Sequence, residues 1–556
     1  MLKENLVSSF EKAIKDNWNK PCFSDYGKDP VTFSEVARII KELHTIFEEC
    51  GISEGDKIAL AGKNSTNWAV TYLATVSYGA VIVPILTDFA VDEIHHIVNH
   101  SEAKLLFASE SIYERIEDIK LEGLKAIFNL DTFAVYHGYE KGLETKILVA
   151  VNDFKKQNQV TREQMLFKPI GNEKLASIVY TSGTTGFSKG VMLSNNCLMA
   201  NIQFFTENMP VKNDSRVLSF LPLAHCFGCA FDFLSPFVKG CHITFLSKIP
   251  TPKIILKAFE EVRPVVIFAV PLILEKIYRA KIMPLLETKR MKILLKTPVI
   301  NKLILKKIGK GINDAFGGTH YEIIVGGAAF NYEIEDLFMK SGVKLTVGYG
   351  MTECGPLICY ADYYKGRPVG SCGKVINYLE MKIDNPDEKG IGEICVTGEN
   401  IMDGYYKMPE LTNEAIDADG WLHTGDLGFI DKEGFVFISG RSKDMILSSS
   451  GQNIYPEEIE AKINFMPYVA ESLVLDAGDG KLIAYIHPDK DKIEKNGISE
   501  EQLEEIMKEN RSNLNEMLPA FAKVTEIRLY DQEFEKTSTK KIKRRLYTSL
   551  VNSDNK

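Results

Sequence analysis

Between residues 56 and 109, short apolar runs alternate with stretches of helical length: DKIALAG, NWAVTYLATVSYGA, VIVPIL, VDEIHHIVNHSEA and KLLFAS. A strand, a helix-length segment and a second strand read as a crossover unit, and crossovers join parallel strands. This rhythm restricts the chain to an α/β fold with a mainly parallel, doubly wound sheet. It returns later as KIILKAFEEVRP, VVIFAV, YEIIVGG, NYEIEDLFMKSG and KLTVGYG. Between about 370 and 440 the texture changes to EMKI, GEICVTG, GWLHTGDLGFID and GFVFISG, broken by closely spaced Gly, Asp and Asn. Such punctuation predicts antiparallel hairpins or a small β-barrel. Beyond Arg441 come a helix (YPEEIEAKINF), a hairpin (ESLVLDAGDGKLIAYIHP), a second helix (EEQLEEIMKENRSNLNEML) and a strand (KVTEIRLYD), an α+β pattern long enough to fold alone. The expected organisation is a large domain over 1–440, with α/β subdomains over 1–369 and a β-rich subdomain over 370–440, and a smaller domain over 441–556.

A length of 556 residues also exceeds what one hydrophobic core usually supports. With 66 Lys and Arg against 75 Asp and Glu, the net charge of -9 provides no basic face for a phosphodiester backbone, so no nucleic-acid partner is expected. The ten cysteines are scattered, which argues against a disulfide framework. Cys226 and Cys229 form a C-x-x-C within the apolar run 220–237 without a second pair at zinc spacing, and are expected in the core or a pocket wall. The opening MLKENLVSSFEKAIKDNW lacks the apolar stretch of a secretory leader, and no run approaches the roughly 18 residues needed to span a bilayer. The expected compartment is the cytoplasm, with a basic cluster near the carboxy terminus that would suit peripheral contact with a membrane.

The densest chemical signal is IVYTSGTTGFSKGVMLS at 178–194. Gly183, Gly186 and Gly190 interleave with Thr181, Ser182, Thr184, Thr185, Ser188 and Lys189. Glycines let successive N–H groups turn toward one anion, hydroxyls add neutral donors and a lysine neutralises charge, so a polyphosphate is the natural guest. The order differs from the Walker pattern, which occurs nowhere in the chain. Residues 186–190 formally match the G-x-S-x-G of a hydrolase nucleophile elbow, which would make Ser188 the nucleophile. That elbow needs a helix directly after its strand, and VMLS reads as a strand. A merely solvated Gly/Ser/Thr loop is the bland alternative.

The loop resembles the phosphate loop of the acyl-adenylate-forming (AMP-binding) superfamily, and seven more segments follow in that superfamily's order. They are LPLAHCFG at 221–228, GGAAF at 326–330, GYGMTECGP at 348–356, GWLHTGDLG at 420–428, GRSKDMI at 440–446, GQNIYPEEIE at 451–460 and KTSTKKIKRR at 536–545. The likeness spans nearly the whole chain and is nearest to bacterial long-chain fatty-acid:CoA ligases. It implies a two-step reaction in which a fatty acid attacks ATP to give acyl-adenylate and pyrophosphate, and the CoA thiol then displaces AMP. It further implies a mobile carboxy-terminal lid.

By the same resemblance, Thr181, Ser182, Gly183, Thr184, Thr185, Gly186 and Lys189 hold the β- and γ-phosphates. Thr352 and Glu353 lie at the α-phosphate with Glu353 as a Mg²⁺ ligand, beside Tyr349 and Gly350. Gly326, Gly327 and Ala328 form the adenine segment, and Asp426 and Arg441 reach the ribose and nucleotide. Lys443 is the hinge. Lys541 bridges carboxylate and α-phosphate during adenylation, although Lys540 stands where a glycine is frequent and is itself a minority candidate. Gly451 lies along the pantetheine arm of CoA, and His225 at the junction of acyl and pantetheine tunnels. Each assignment suits the chemistry, because both half-reactions place negative charge on oxygen and call for cations and N–H donors. The alternatives are a medium-chain or aryl acid, acyl carrier protein as acceptor, a serine hydrolase and a non-catalytic nucleotide binder. Sequence leaves the oligomeric state open.

Overall fold

The computed structural model describes residues 1–551 apart from 158–159, 182–187, 248–250, 287, 289–290, 292–293, 295–296, 449–451, 479–480 and 537–541. By internal contacts the chain divides into two compact units, Met1–Met381 with Val396–Leu422, and Lys382–Cys395 with His423–Lys556. Residues 423–440, placed by the sequence with the amino-terminal part, therefore group by packing with the carboxy-terminal part.

The first unit is built on an eight-stranded sheet in the order Gly404–Tyr405, Lys189–Ser194, Leu175–Thr181, Val81–Ile85, Lys57–Ala61, Ala103–Ala108, Ala126–Asn129 and Val135–Gly138. The five strands from 175–181 to 126–129 run parallel, as the crossover rhythm predicts. The strands flanking them are antiparallel. The helices Thr66–Tyr78 and Val91–Ser101 are the crossovers. Thr66–Tyr78 begins where the Ser65 hydroxyl accepts from Trp68 N and stops at Gly79, whose φ of +92° suits glycine. It is buried on nearly every side, Trp68 and Tyr72 included, and burial stabilises large apolar side chains by about 1.5–3 kcal/mol each.

A second sheet orders Arg216–Ser219, His242–Phe245, Pro21–Asp25 and Val31–Thr32, and a third consists of Val266–Ala269, Glu322–Val325 and Leu345–Val347, all parallel. In open α/β sheets ligands gather at the carboxyl ends of parallel strands. Residues 326–328 and 348–350 leave two such ends side by side, where Gly348 N donates to Val325 O at 2.8 Å.

The β-rich segment takes the form of a four-stranded sheet, in the order Leu379–Asp384, Gly392–Gly398, Leu422–Ile430 and Val436–Arg441. The second unit also holds the expected hairpin, Val469–Asp476 antiparallel to Leu482–Pro488, with Val524–Leu529 added parallel to it. The helices Pro456–Ile463 and Glu500–Glu516 cover this sheet through Ile459, Ile463, Leu503 and Leu514, against Val474 and Leu482. No helix among the described residues is long and apolar enough to cross a membrane.

Candidate active site

The strands Leu175–Thr181 and Lys189–Ser194 pair antiparallel, and their register sets Thr181 opposite Lys189 at the mouth of a hairpin. Gly190 is required in this hairpin, because a Cβ there would come within 2.7 Å of Ile178 Cγ2. Lys189 opens a strand, and the next helix, Asn195–Asn208, begins only after it. The strand-to-helix turn of a nucleophile elbow is therefore missing, and the Ser188 side chain is buried.

Lys189 meets two groups that lie far away in sequence. Its ammonium donates to Tyr405 Oη at 2.8 Å, the Tyr405 hydroxyl donates to Glu353 Oε1 at 2.8 Å, and Lys189 Nζ lies 3.8 Å from that same oxygen. The ammonium also stands 4.0 Å from the centre of the Tyr405 ring, a cation–π position. Tyr405 is brought there by an edge strand, Gly404–Tyr405, paired antiparallel with the very strand that carries Lys189. The side-chain exposures are 31% for Lys189 and 10% for Glu353, so the cation is the more accessible partner. An ammonium held this way can turn toward an incoming anion while the phenol keeps the carboxylate in place.

Glu353 is fixed from behind as well. It lies in the single turn Thr352–Cys354, and its carbonyl accepts from Met402 N at 2.8 Å. Asn201, buried on the helix after the hairpin, donates to Cys354 O at 3.2 Å and accepts from Leu357 N at 3.0 Å. Asn400 Nδ2 donates to Leu357 O at 2.7 Å. Tyr405, Asn201 and Asn400 were not among the residues singled out from the sequence. Their one visible signal is Gly404-Tyr405 in IMDGYYKMPE, and the contacts themselves span 43 to 216 positions.

Thr352 is buried and takes a hydrogen bond from Cys226 Sγ at 3.5 Å. Burial pushes the Cys226 and Cys229 thiols up to about 12, so both stay protonated. They line a small cavity with Tyr72, Ser177, Val179 and Leu223, which is the pocket-wall role the C-x-x-C suggested. His225, half-buried, accepts from Phe227 N at Nδ1 over 3.3 Å. Gly326 is buried against the Phe227 ring, while Gly327, at φ +87°, and Ala328 are exposed, so this turn presents backbone to solvent. Tyr349 and Gly350 pair with Cys359 and Leu357, and a Cβ on Gly350 would stand 2.0 Å from Pro356 O, where only glycine fits.

In the second unit Asp426 and Arg441 lie directly opposite each other on antiparallel strands. Arg441 Nε is 2.8 Å from Asp426 Oδ1, with Asp426 buried and Arg441 42% exposed. Lys443 is exposed in the short turn Ser442–Asp444 that follows. Ser182, Gly183, Thr184, Thr185, Gly186, Gly451 and Lys541 lie outside the described residues, as does Lys540.

These features set a lysine-bearing hairpin beside a fixed carboxylate on a doubly wound sheet. The chain belongs to the AMP-binding enzyme family, whose model matches residues 10–406. It is 28% identical over 493 residues to the long-chain-fatty-acid–CoA ligase heimdall of Drosophila melanogaster, an alignment covering 82% of this chain and 71% of that protein. To 4-coumarate-CoA ligase 1 of Narcissus pseudonarcissus it is 26% identical over 480 residues, covering 83% and 79%. Among solved structures, ATP-bound MatB from Rhodopseudomonas palustris matches with a TM-score of 0.75 at 25% identity, covering 99% of this chain and all of that one.

Proposed function

We propose that this protein is an AMP-forming acid–CoA ligase that activates a fatty acid, of long chain, and transfers it to CoA. The observation that carries the proposal is the Lys189–Tyr405–Glu353 constellation at the mouth of the hairpin, in a chain of the AMP-binding family.

In the first half-reaction a carboxylate oxygen of the acid attacks the α-phosphorus of ATP and pyrophosphate leaves. The hairpin residues from Thr181 to Lys189 take the β- and γ-phosphates, and Lys189 turns from Tyr405 to the phosphate oxygens. The oxygen donors at Glu353 and Thr352 fit a hard divalent cation, which commonly uses one or two carboxylates and completes its shell with phosphate and water. Mg²⁺ held by Glu353 would supply charge neutralisation on the phosphate oxygens. Tyr405 keeps the Glu353 carboxylate aimed. Gly326, Gly327 and Ala328 offer backbone to the adenine beside Tyr349 and Gly350, and Asp426 accepts from the ribose hydroxyls with Arg441 beside it. Lys541 brings an ammonium between two anions that would otherwise repel. In the second half-reaction the CoA thiol attacks the acyl carbonyl and AMP leaves. Gly451 and His225 serve the pantetheine and acyl groups, and Lys443 is the pivot between the two working conformations. A second reading, an aryl acid as substrate, draws support from the 4-coumarate ligase among the relatives.

Thioester formation measured with ATP and CoA across acids from acetate to oleate, with 4-coumarate included, tests the substrate class. The proposal expects kcat/KM to rise with chain length, because each added buried methylene contributes about 0.8 kcal/mol. Preference for 4-coumarate would replace the fatty acid with an aryl one. Tyr405→Phe keeps the ring and loses the hydroxyl between a cation and a carboxylate. Hydrogen bonds to charged groups contribute about 1.5–3 kcal/mol, so kcat/KM for ATP is expected to fall at least about tenfold with the unfolding temperature retained. Unchanged ATP kinetics would remove Tyr405 from the site.

A further inference from the structure

Glu393 and Cys395 lie two residues apart on the strand Gly392–Gly398, and His423 lies on its sheet neighbour Leu422–Ile430. Residues two apart on a strand share a face, and a residue on the adjacent strand can stand over both. His423 Nδ1 is 2.9 Å from Glu393 Oε2 and 3.4 Å from Cys395 Sγ. One donor atom from each of the three falls within 4.8 Å of the others, and this is the one such His/Cys/Asp/Glu group among the described residues. The thiol is fully buried, while the Glu393 and His423 side chains each keep 28% exposure, so the cluster opens to solvent on one side.

If these groups only tied two strands together, imidazole and carboxylate would suffice, since a thiol is a weak donor and a weak acceptor. Thiolate, imidazole and carboxylate together make the donor set of Zn²⁺ and similar thiophilic ions, whereas Mg²⁺ and Ca²⁺ prefer oxygen alone. Zinc bonds of roughly 2.0–2.3 Å in tetrahedral array set donor atoms about 3.4–3.6 Å apart. The sulfur–nitrogen pair already has that spacing, and the oxygen–nitrogen pair needs to widen by about 0.5 Å. We propose that Glu393, Cys395 and His423 form a three-ligand site for a thiophilic divalent cation of the Zn²⁺ type, with the fourth position open to water. On binding, the thiol releases its proton to solvent and the imidazole carries its own on Nε2, leaving the Nδ1 lone pair to the metal. Glu393 Oε1 meanwhile accepts from Gly425 N at 2.9 Å, which fixes the carboxylate from the strand that also bears His423.

The test is a titration of the full-length, chelator-treated protein with Co²⁺, followed by displacement with Zn²⁺. The expected result is one equivalent bound with thiolate-to-cobalt charge-transfer absorption, a band the oxygen donors at Glu353 cannot produce. Cys395→Ala and His423→Ala should abolish that band, Cys50→Ala should keep it, and Glu393→Gln should weaken Zn²⁺ binding at least about tenfold, with circular dichroism confirming each fold. Wild-type protein that shows no charge-transfer band, or a band that persists in folded Cys395→Ala, would overturn the site. The wild-type and Glu393→Gln titrations decide the matter should the cysteine variant fail to fold.

Discussion

Lys541→Ala is expected to lower the rate of acyl-adenylate formation by about 10²-fold or more, the scale lost when one preorganised stabiliser of transition-state charge is removed. The physical reason is that a carboxylate and a polyphosphate approach each other as anions, and an ammonium between them relieves a repulsion that peaks as the new bond forms. The effect should be confined to that half-reaction. Thioester formation from presynthesised acyl-adenylate brings a thiol to the acyl carbonyl and sets no carboxylate against a polyphosphate, so it should retain most of its rate in the same variant. Single-turnover measurement of each half-reaction separates the two. An equal loss in both, with folding intact, would show that the lysine acts on structure or on domain placement, and Lys540→Ala run in parallel decides between the adjacent lysines.

Glu353→Gln should be comparably damaging, lowering kcat/KM for adenylation by about 10²- to 10³-fold. The substitution preserves shape, and an amide oxygen can still accept from the Tyr405 hydroxyl, which now lies 2.8 Å from Glu353 Oε1. What is lost is the negative charge offered to a divalent cation and the partner that holds Lys189 at 3.8 Å. The Mg²⁺ concentration giving half-maximal rate should rise in this variant. A folded Glu353→Gln enzyme with wild-type rate and unchanged Mg²⁺ dependence would remove the carboxylate from the reaction centre.

Much of this architecture is legible from local pattern. The parallel strands at 57–61, 81–85 and 103–108 and their crossover helices appear where alternating apolar runs place them, because periodicity reports which face of each element is buried. The strand after Lys189 was equally legible, and it is what separates this hairpin from a hydrolase elbow. The parts that escaped are long-range. Nothing local announces that Tyr405 on an edge strand will bridge Lys189 and Glu353, or that Asn201 will hold the turn bearing Glu353. The grouping of 423–440 with the carboxy-terminal unit is set by contacts between segments, and local texture does not encode it. The Glu393, Cys395 and His423 cluster escaped for the same reason: it forms only when residues 28 and 30 positions apart meet on neighbouring strands.

The most direct measurement of the central claim is exchange of labelled pyrophosphate into ATP by the full-length protein in the absence of CoA. If the hairpin and Glu353 support attack of a carboxylate on the α-phosphorus, exchange will require both Mg²⁺ and a fatty acid, proceed without CoA, and fall steeply in Lys189→Ala. Thioester formation without any acid-dependent exchange, or exchange indifferent to Lys189, would contradict it.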